Sequence, residues 1–259
     1  MSTKPIGVFD SGVGGTSIWK EIHKLLPFEN SIYLADSKNA PYGEKSADEI
    51  LALSIKNTEF LLKQNCKLIV VACNTATTNA IAYLRNNYDV PFIGIEPAIK
   101  PAALNSKSKT IGVLATKGTL SSALFNSTSK SYSEGILIIE QDGEGLVPLI
   151  EAGQVHSKNT KDLLLKYLNP MINKGMDHLV LGCTHYPYLI PVIKDIVPSN
   201  VQIIDSGEAV ARQTKNILEK LNIAAPVQVS KHQFYSNTNS KSLKDFLLDY
   251  DVTVDYLDF

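Results

Sequence analysis

The sequence predicts an α/β protein of two pseudo-symmetric domains, each a mostly parallel sheet flanked by helices, with a site in the cleft between them. Three observations predict it. Short apolar runs rich in Val, Ile and Leu end in small or polar residues and are followed by helical stretches, the pattern of a parallel sheet with helices on its faces. The first half can be laid over the second: IGVFDSGVGGTS from Ile6 matches IGVLATKGTLSS from Ile111, and VVACNTATT from Val70 matches VLGCTHYPY from Val180. A chain of 259 residues that is 44% apolar can bury a large core, and the repeat divides it in two.

In chain order, strands are expected at residues 6–9, 31–35, 68–72 and 92–95 in the first half, and at 111–114, 136–139, 178–181 and 201–204 in the second. Helices are expected over 17–26, 47–64, 76–86, 161–173 and 209–221. Both halves run strand, turn, then later strand, cysteine, polar loop. Val90-Pro91-Phe92-Ile93 and Val201-Gln202-Ile203-Ile204 follow the two cysteine loops at similar distances and extend the correspondence to a third element.

Composition excludes several classes of function. The formal net charge is -1, and Arg85 and Arg212 are the only arginines, so no basic stripe is present to neutralise a nucleic-acid backbone. The first residues, MSTKPIGVFD, pass directly into a strand-like run without a charged-then-apolar leader, and no segment approaches the roughly 18 apolar residues of a membrane span. A soluble, cytoplasmic protein is expected. Cys66, Cys73 and Cys183 are too few and too scattered for a disulfide framework, and their odd number points to free thiols.

Ligands of open parallel sheets bind at the carboxyl ends of the strands. Four polar loops stand there: Asp10-Ser11-Gly12-Val13-Gly14-Gly15-Thr16, Ala40-Pro41-Tyr42-Gly43, Cys73-Asn74-Thr75-Ala76-Thr77 and Gly182-Cys183-Thr184-His185-Tyr186-Pro187. Each offers N–H groups or hydroxyls where a helix is expected to begin, a setting suited to carboxylates. The glycine loop is no nucleotide motif: GxGxxG would need glycine at Ser17, and no Lys-Ser or Lys-Thr pair completes a Walker loop.

A free cysteine is most often a small buried hydrophobe, and Cys66, ahead of an apolar strand, fits that role. Cys73 and Cys183 differ because they occupy equivalent places in the repeat. At a helix N-terminus a thiolate is stabilised, so both are expected to titrate below the free value of about 8.5. His185 could be a metal ligand, a core histidine or a proton partner for Cys183; metal is the weakest reading, since no second Cys/His pair lies near in sequence. Asp10 could cap the turn that follows it or serve as a functional carboxylate near Cys73. Two thiols facing one ligand fit a reaction that removes a proton on one face and returns it on the other. A disulfide redox pair competes, but neither thiol has a partner at C-x-x-C spacing.

DSGVGGTS from Asp10, PYGEKS from Pro41, ACNTAT from Ala72, GIEP from Gly94 and GCTHYPYL from Gly182 together resemble the glutamate racemase family, in order and over most of the chain. The resemblance implies an enzyme independent of pyridoxal phosphate and metal that interconverts L- and D-glutamate and supplies the D-isomer for peptidoglycan. It implies that Cys73 and Cys183 exchange the proton, assisted by Asp10 and His185, with Glu151 on the His185 side of the cleft. Ser11, Tyr42, Gly43, Asn74, Thr75 and Thr184, with Pro41 in the same loop as Tyr42, would hold the substrate. It further implies a first domain of residues 1–97 plus 207–259, a second of 98–206, and a homodimer. Thr77-Thr78 after CNTA and Tyr188 after GCTHYP depart from the family pattern, behind the reacting groups. With no extension ahead of the first strand, regulation by a cell-wall precursor bound to one is not expected. An aspartate or hydantoin racemase would keep both cysteines, whereas a two-lobed amino-acid binding protein would need neither.

Overall fold

The computed structural model describes residues 1–259. Ten strands, β1 (Ile6–Asp10), β2 (Ser31–Ala35), β3 (Leu68–Val71), β4 (Phe92–Gly94), β5 (Thr110–Ala115), β6 (Leu137–Asp142), β7 (His178–Gly182), β8 (Gln202–Ile204), β9 (His232–Ser236) and β10 (Thr253–Tyr256), form two sheets. The first has the order β10-β9-β2-β1-β3-β4 and the second β6-β5-β7-β8, and every pairing is parallel. The two sheets share one topology: the order 2-1-3-4 in the first is repeated as 6-5-7-8 in the second. The internal repeat read from the sequence is therefore a repeat of structure.

Both faces of each central strand are covered. All five residues of β1 and all four of β3 are buried, as parallel strands between helical layers require. Side chains alternate across the first sheet: Ile6, Val8 and Tyr33 pack with Trp19 and Phe234 on one face, while Phe9, Ile32, Leu34 and Val71 pack with Leu61 and Ile81 on the other. The second sheet is sandwiched likewise, with Leu114, Leu168 and Leu181 on one face and Ile111, Val113 and Phe125 on the other.

The chain reverses direction of winding at β1, between β2 and β3, and at β5, between β6 and β7. Such switch points leave a crevice at the strands' carboxyl ends. Asp10 and Cys73 stand at the first crevice; Cys183 stands at the second. No helix is long and apolar enough to cross a membrane.

Three differences from the sequence expectation bear on the site. The helix after β3 is Asn74–Asn87, two residues earlier than expected, so that Cys73 itself caps it. No α-helix begins at Cys183; the chain makes a turn there and then a 3₁₀ segment, Tyr186–Leu189, with prolines in the following turns. The C-terminal strands β9 and β10, absent from the expected set, extend the first sheet beyond β2.

Candidate active site

The register of β1 with β3 sets Phe9 opposite Val71, so the chain leaves both strands side by side. Cys73 has extended backbone, φ -140° and ψ 121°, and its Sγ accepts from the N–H of Ala76 at 3.4 Å. A sulfur thus fills the capping role that a Ser or Thr oxygen usually has. The Cys73 thiol lies 3.9 Å from Ser11 Oγ. Asp10 is fully buried, and its Oδ2 accepts from the N–H groups of Gly15 at 2.8 Å and Gly12 at 3.3 Å. That carboxylate therefore organises the glycine loop from within.

On the other side Cys183 follows β7 directly, and its Sγ is 3.8 Å from Nδ1 of His185. His185 Nε2 is 2.7 Å from Oε1 of Glu151, the last residue of the helix Leu146–Glu151. The same Oε1 accepts from the N–H of Val13 in the glycine loop at 2.9 Å. Thr184 Oγ1 donates to Asp10 Oδ1 at 3.4 Å, and Ser17 Oγ donates to the Thr184 carbonyl at 2.9 Å. The loops after β1 and β7 thus hold each other through polar contacts on both sides.

Between the sheets lies a narrow pocket. Its wall includes Ser11, Pro41, Tyr42, Gly43, Cys73, Asn74, Thr75, Cys183, Thr184 and His185, so the four loops singled out in the sequence converge. Asp10 and Glu151 stand behind that wall. Tyr42 is anchored from below, its hydroxyl donating to Asp36 Oδ2 at 2.5 Å and accepting from Asn57 Nδ2 at 3.1 Å. Asn74, only 2% exposed, has neither an acceptor for its Nδ2 nor a donor for its Oδ1. Buried amides are nearly always paired, so Asn74 is set to meet a polar ligand.

The Asp/Glu/hydantoin racemase family model matches residues 6–214. The chain belongs to that family. Within it the racemase sits among the glutamate racemases, which are isomerases: it is 44% identical over 248 residues to the glutamate racemase of Ectopseudomonas mendocina, covering 95% of this chain and 94% of that one. The crystal structure of glutamate racemase isoform RacE1 from Bacillus anthracis superimposes with a TM-score of 0.90 at 32% identity, covering 100% of this chain and 99% of the other. That of Escherichia coli glutamate racemase in complex with L-glutamate and the activator UDP-MurNAc-Ala gives a TM-score of 0.86 at 32% identity, covering 98% of each chain.

Burial dominates the electrostatics of the racemase's pocket. Burial pushes the Cys73 thiol well above its ordinary value; Asp10 and Cys183 add to the rise, and the Ala76 N–H and Ser11 hydroxyl offset only part of it. The expectation that a helix N-terminus would lower this thiol is overturned, because loss of water outweighs one long N–H···S contact. The helix N-terminus expected at Cys183 is absent, since a turn and a 3₁₀ segment follow it. Burial favours neutral His185, yet its hydrogen bonds to Cys183 and Glu151, together with the charges of both, hold its proton well above the usual range. Glu151 is lowered: burial opposes its charge, but the His185 bond and the Val13 N–H prevail. Asp10 is raised by burial, against the pull of His185 and Gly15. Cys66 is pushed up to about 12 by burial alone and touches no polar partner.

Sequence reasoning missed Thr116 and Thr119. Thr116 lines the pocket after β5, and its Oγ1 lies 2.8 Å from Thr75 Oγ1 and 3.1 Å from Thr119 Oγ1. A signal was available, because the repeat sets Thr116 opposite Ser11. No group of three or more His, Cys, Asp and Glu side chains is arranged to hold a metal ion.

Proposed function

We propose that this enzyme interconverts L- and D-glutamate by a two-base transfer in which Cys73 and Cys183 exchange the α-proton from opposite faces. The observation that carries this reading is that the two cysteines, related by the internal repeat, line one pocket from opposite sheets. One thiol must begin deprotonated and the other protonated, with the roles reversed for the other enantiomer. The two surroundings suit that division. The proton held on His185 lies beside Cys183 and meets charge that develops on its sulfur, whereas burial and Asp10 keep Cys73 protonated.

An amino acid's α-carbon is weakly acidic, so the carboxylate must be held by donors where enolate charge develops, and water must be kept out. Ser11, Asn74, Thr75 and Thr184 supply hydroxyl and amide groups around the pocket, and the unpaired amide of Asn74 has room for a carboxylate or an ammonium group. The hydroxyls of Thr75, Thr116 and Thr119 form a second polar cluster suited to the side-chain carboxylate. The units 1–97 with 207–259, and 98–206, would close over the substrate to dry the site. In this reading Asp10 and His185 assist the thiols, Glu151 supports His185, and Pro41, Tyr42 and Gly43 shape the wall. The product D-glutamate would serve peptidoglycan synthesis. A homodimer is proposed on the family resemblance alone, and light scattering would read it.

The test is incubation of the purified protein with L-glutamate in D2O, following optical rotation and α-deuterium together. Loss of rotation with deuterium uptake is expected, abolished in Cys73→Ala and in Cys183→Ala and retained in Cys66→Ala. Near-normal turnover in either of the first two variants would sink the two-thiol mechanism. Turnover of aspartate instead of glutamate would keep the mechanism and replace the substrate.

A further inference from the structure

Glu151 is the one acidic partner of His185 on the Cys183 side, and it sits at the end of a helix only six residues long. The final carbonyls of a helix lack partners within it. Those of Pro148, Leu149 and Ile150 are met by the N–H groups of Ala152, Gln154 and Gly153. The carbonyl of Glu151 is met from elsewhere: Ser242 Oγ, on the C-terminal helix Lys241–Asp245, donates to it at 2.6 Å. Four residues further on, Phe246 lays its ring against Tyr188 at 4.4 Å between centroids. Phe246 packs against the cores of both sheets. The helix is therefore pinned at the junction, and its hydroxyl falls on the residue that holds His185.

We propose that Ser242 is a positioning residue for the proton-transfer site: by holding the Glu151 carbonyl it keeps the Glu151–His185 hydrogen bond aligned beside Cys183. The proposal rests on the reading of Cys183 and His185 given above. Beyond its own helix, three contacts hold Glu151, namely His185, the Val13 N–H and Ser242, and of these only Ser242 reaches its backbone. The titratable groups facing His185 are Cys183 on its own loop, Glu151 on the short helix and Asp10 at the end of β1; the intervening contact with the glycine loop is the uncharged Gly14. A shift of Glu151 therefore changes the proton affinity of His185 through their direct hydrogen bond, and reaches the Cys73 side only at second hand, through the Val13 N–H and its charge on Asp10.

The experiment compares wild type, Ser242→Ala, Ser242→Thr and the benchmark Glu151→Gln, by NMR titration of labelled histidine and by steady-state turnover of glutamate. Ser242→Ala should move the His185 midpoint down, part of the way to its value in Glu151→Gln. Its kcat should fall roughly fivefold, the order of one neutral hydrogen bond, with KM little changed. Ser242→Thr, which keeps the hydroxyl, should restore both. A purely structural serine would leave the His185 midpoint where it is in wild type; that result overturns the proposal whatever the activity. Should circular dichroism show Ser242→Ala unfolded, Ser242→Cys, close in volume but a poor donor, replaces it. Because the NMR reading needs no substrate, it decides the proposal separately from whether glutamate is turned over.

Discussion

At the scale of single residues, Gly12 and Gly14 show why a glycine loop precedes the first helix. Neither needs a left-handed backbone. A Cβ on Gly14 would overlap the ring of His185, and one on Gly12 would overlap Oε1 of Glu151. Both neighbours are fixed groups with bonds of their own, so the added carbon would move the reacting side rather than a free side chain. Gly14→Ala should leave the fold intact while displacing His185, with kcat falling by about a hundredfold, the cost of a misplacement near 1 Å. Turnover with a matched circular dichroism spectrum checks it; wild-type turnover would mean that His185 can shift at no cost. The residues legible in the sequence were those carried by duplicated or glycine-rich motifs: Asp10, Cys73, Cys183, His185. Ser242 and Asp36 were not, since a lone serine or aspartate acquires its role only from which carbonyl or hydroxyl the fold brings to it.

At the scale of elements, the strands that sequence reading found carry short unbroken apolar runs: β1, β2, β3, β5 and β7 are buried throughout, while β6 and β8 carry such runs at the edges of the second sheet. It missed β9 and β10, because HQFYS alternates buried and exposed residues and TVDY at the sheet's edge is largely exposed. β9 nevertheless closes the core against the helix Thr16–Leu25. Trp19 and His23 of that helix stack at 5.0 Å, and the rings of His23 and His232 meet edge to face at 4.6 Å. His232 is also held by Ser31 at 2.8 Å and Ser230 at 2.9 Å, while Nδ1 of His23 has no partner. Burial lowers His232 to about 4, the nearby His23 adds to the fall, and burial lowers His23 as well. Both are neutral when folded, whereas the unfolded chain takes up their protons near the ordinary value of about 6.5. Stability contributed by this pair is therefore full above that value and lost as pH falls from it through about 4. Urea unfolding at stepped pH should show that slope, and His23→Phe should make it shallower; an unchanged slope would assign the acid sensitivity to other groups.

At the scale of the whole molecule, the two sheets are joined by polar contacts between the loops and helices around the pocket. Thr16 Oγ1 and Tyr188 OH lie 2.5 Å apart, Thr75 reaches Thr116, and Asn79 Nδ2 donates to the Gly118 carbonyl at 3.3 Å. Cys73 and Cys183 are left 5% and 7% exposed, hardly different from Cys66 at 6%. Static exposure alone therefore ranks the three thiols as equals. Their paths to water differ. The first two border one pocket between the sheets, so parting of the two units proposed above would uncover them, whereas Cys66 is packed in the core of the first sheet against Gly7 and is uncovered only when that core opens. Opening between units costs less than global unfolding. A thiol reagent in excess should therefore label two thiols per chain at a rate set by opening, and the third only in denaturant. Saturating glutamate should slow the first two together and leave the third unchanged, since a ligand held between the units stabilises their closed arrangement. Labelling of Cys66 at the rate of the other two would show that the first sheet opens as readily as the cleft, and would refute the rigid-unit picture on which closure over the substrate depends.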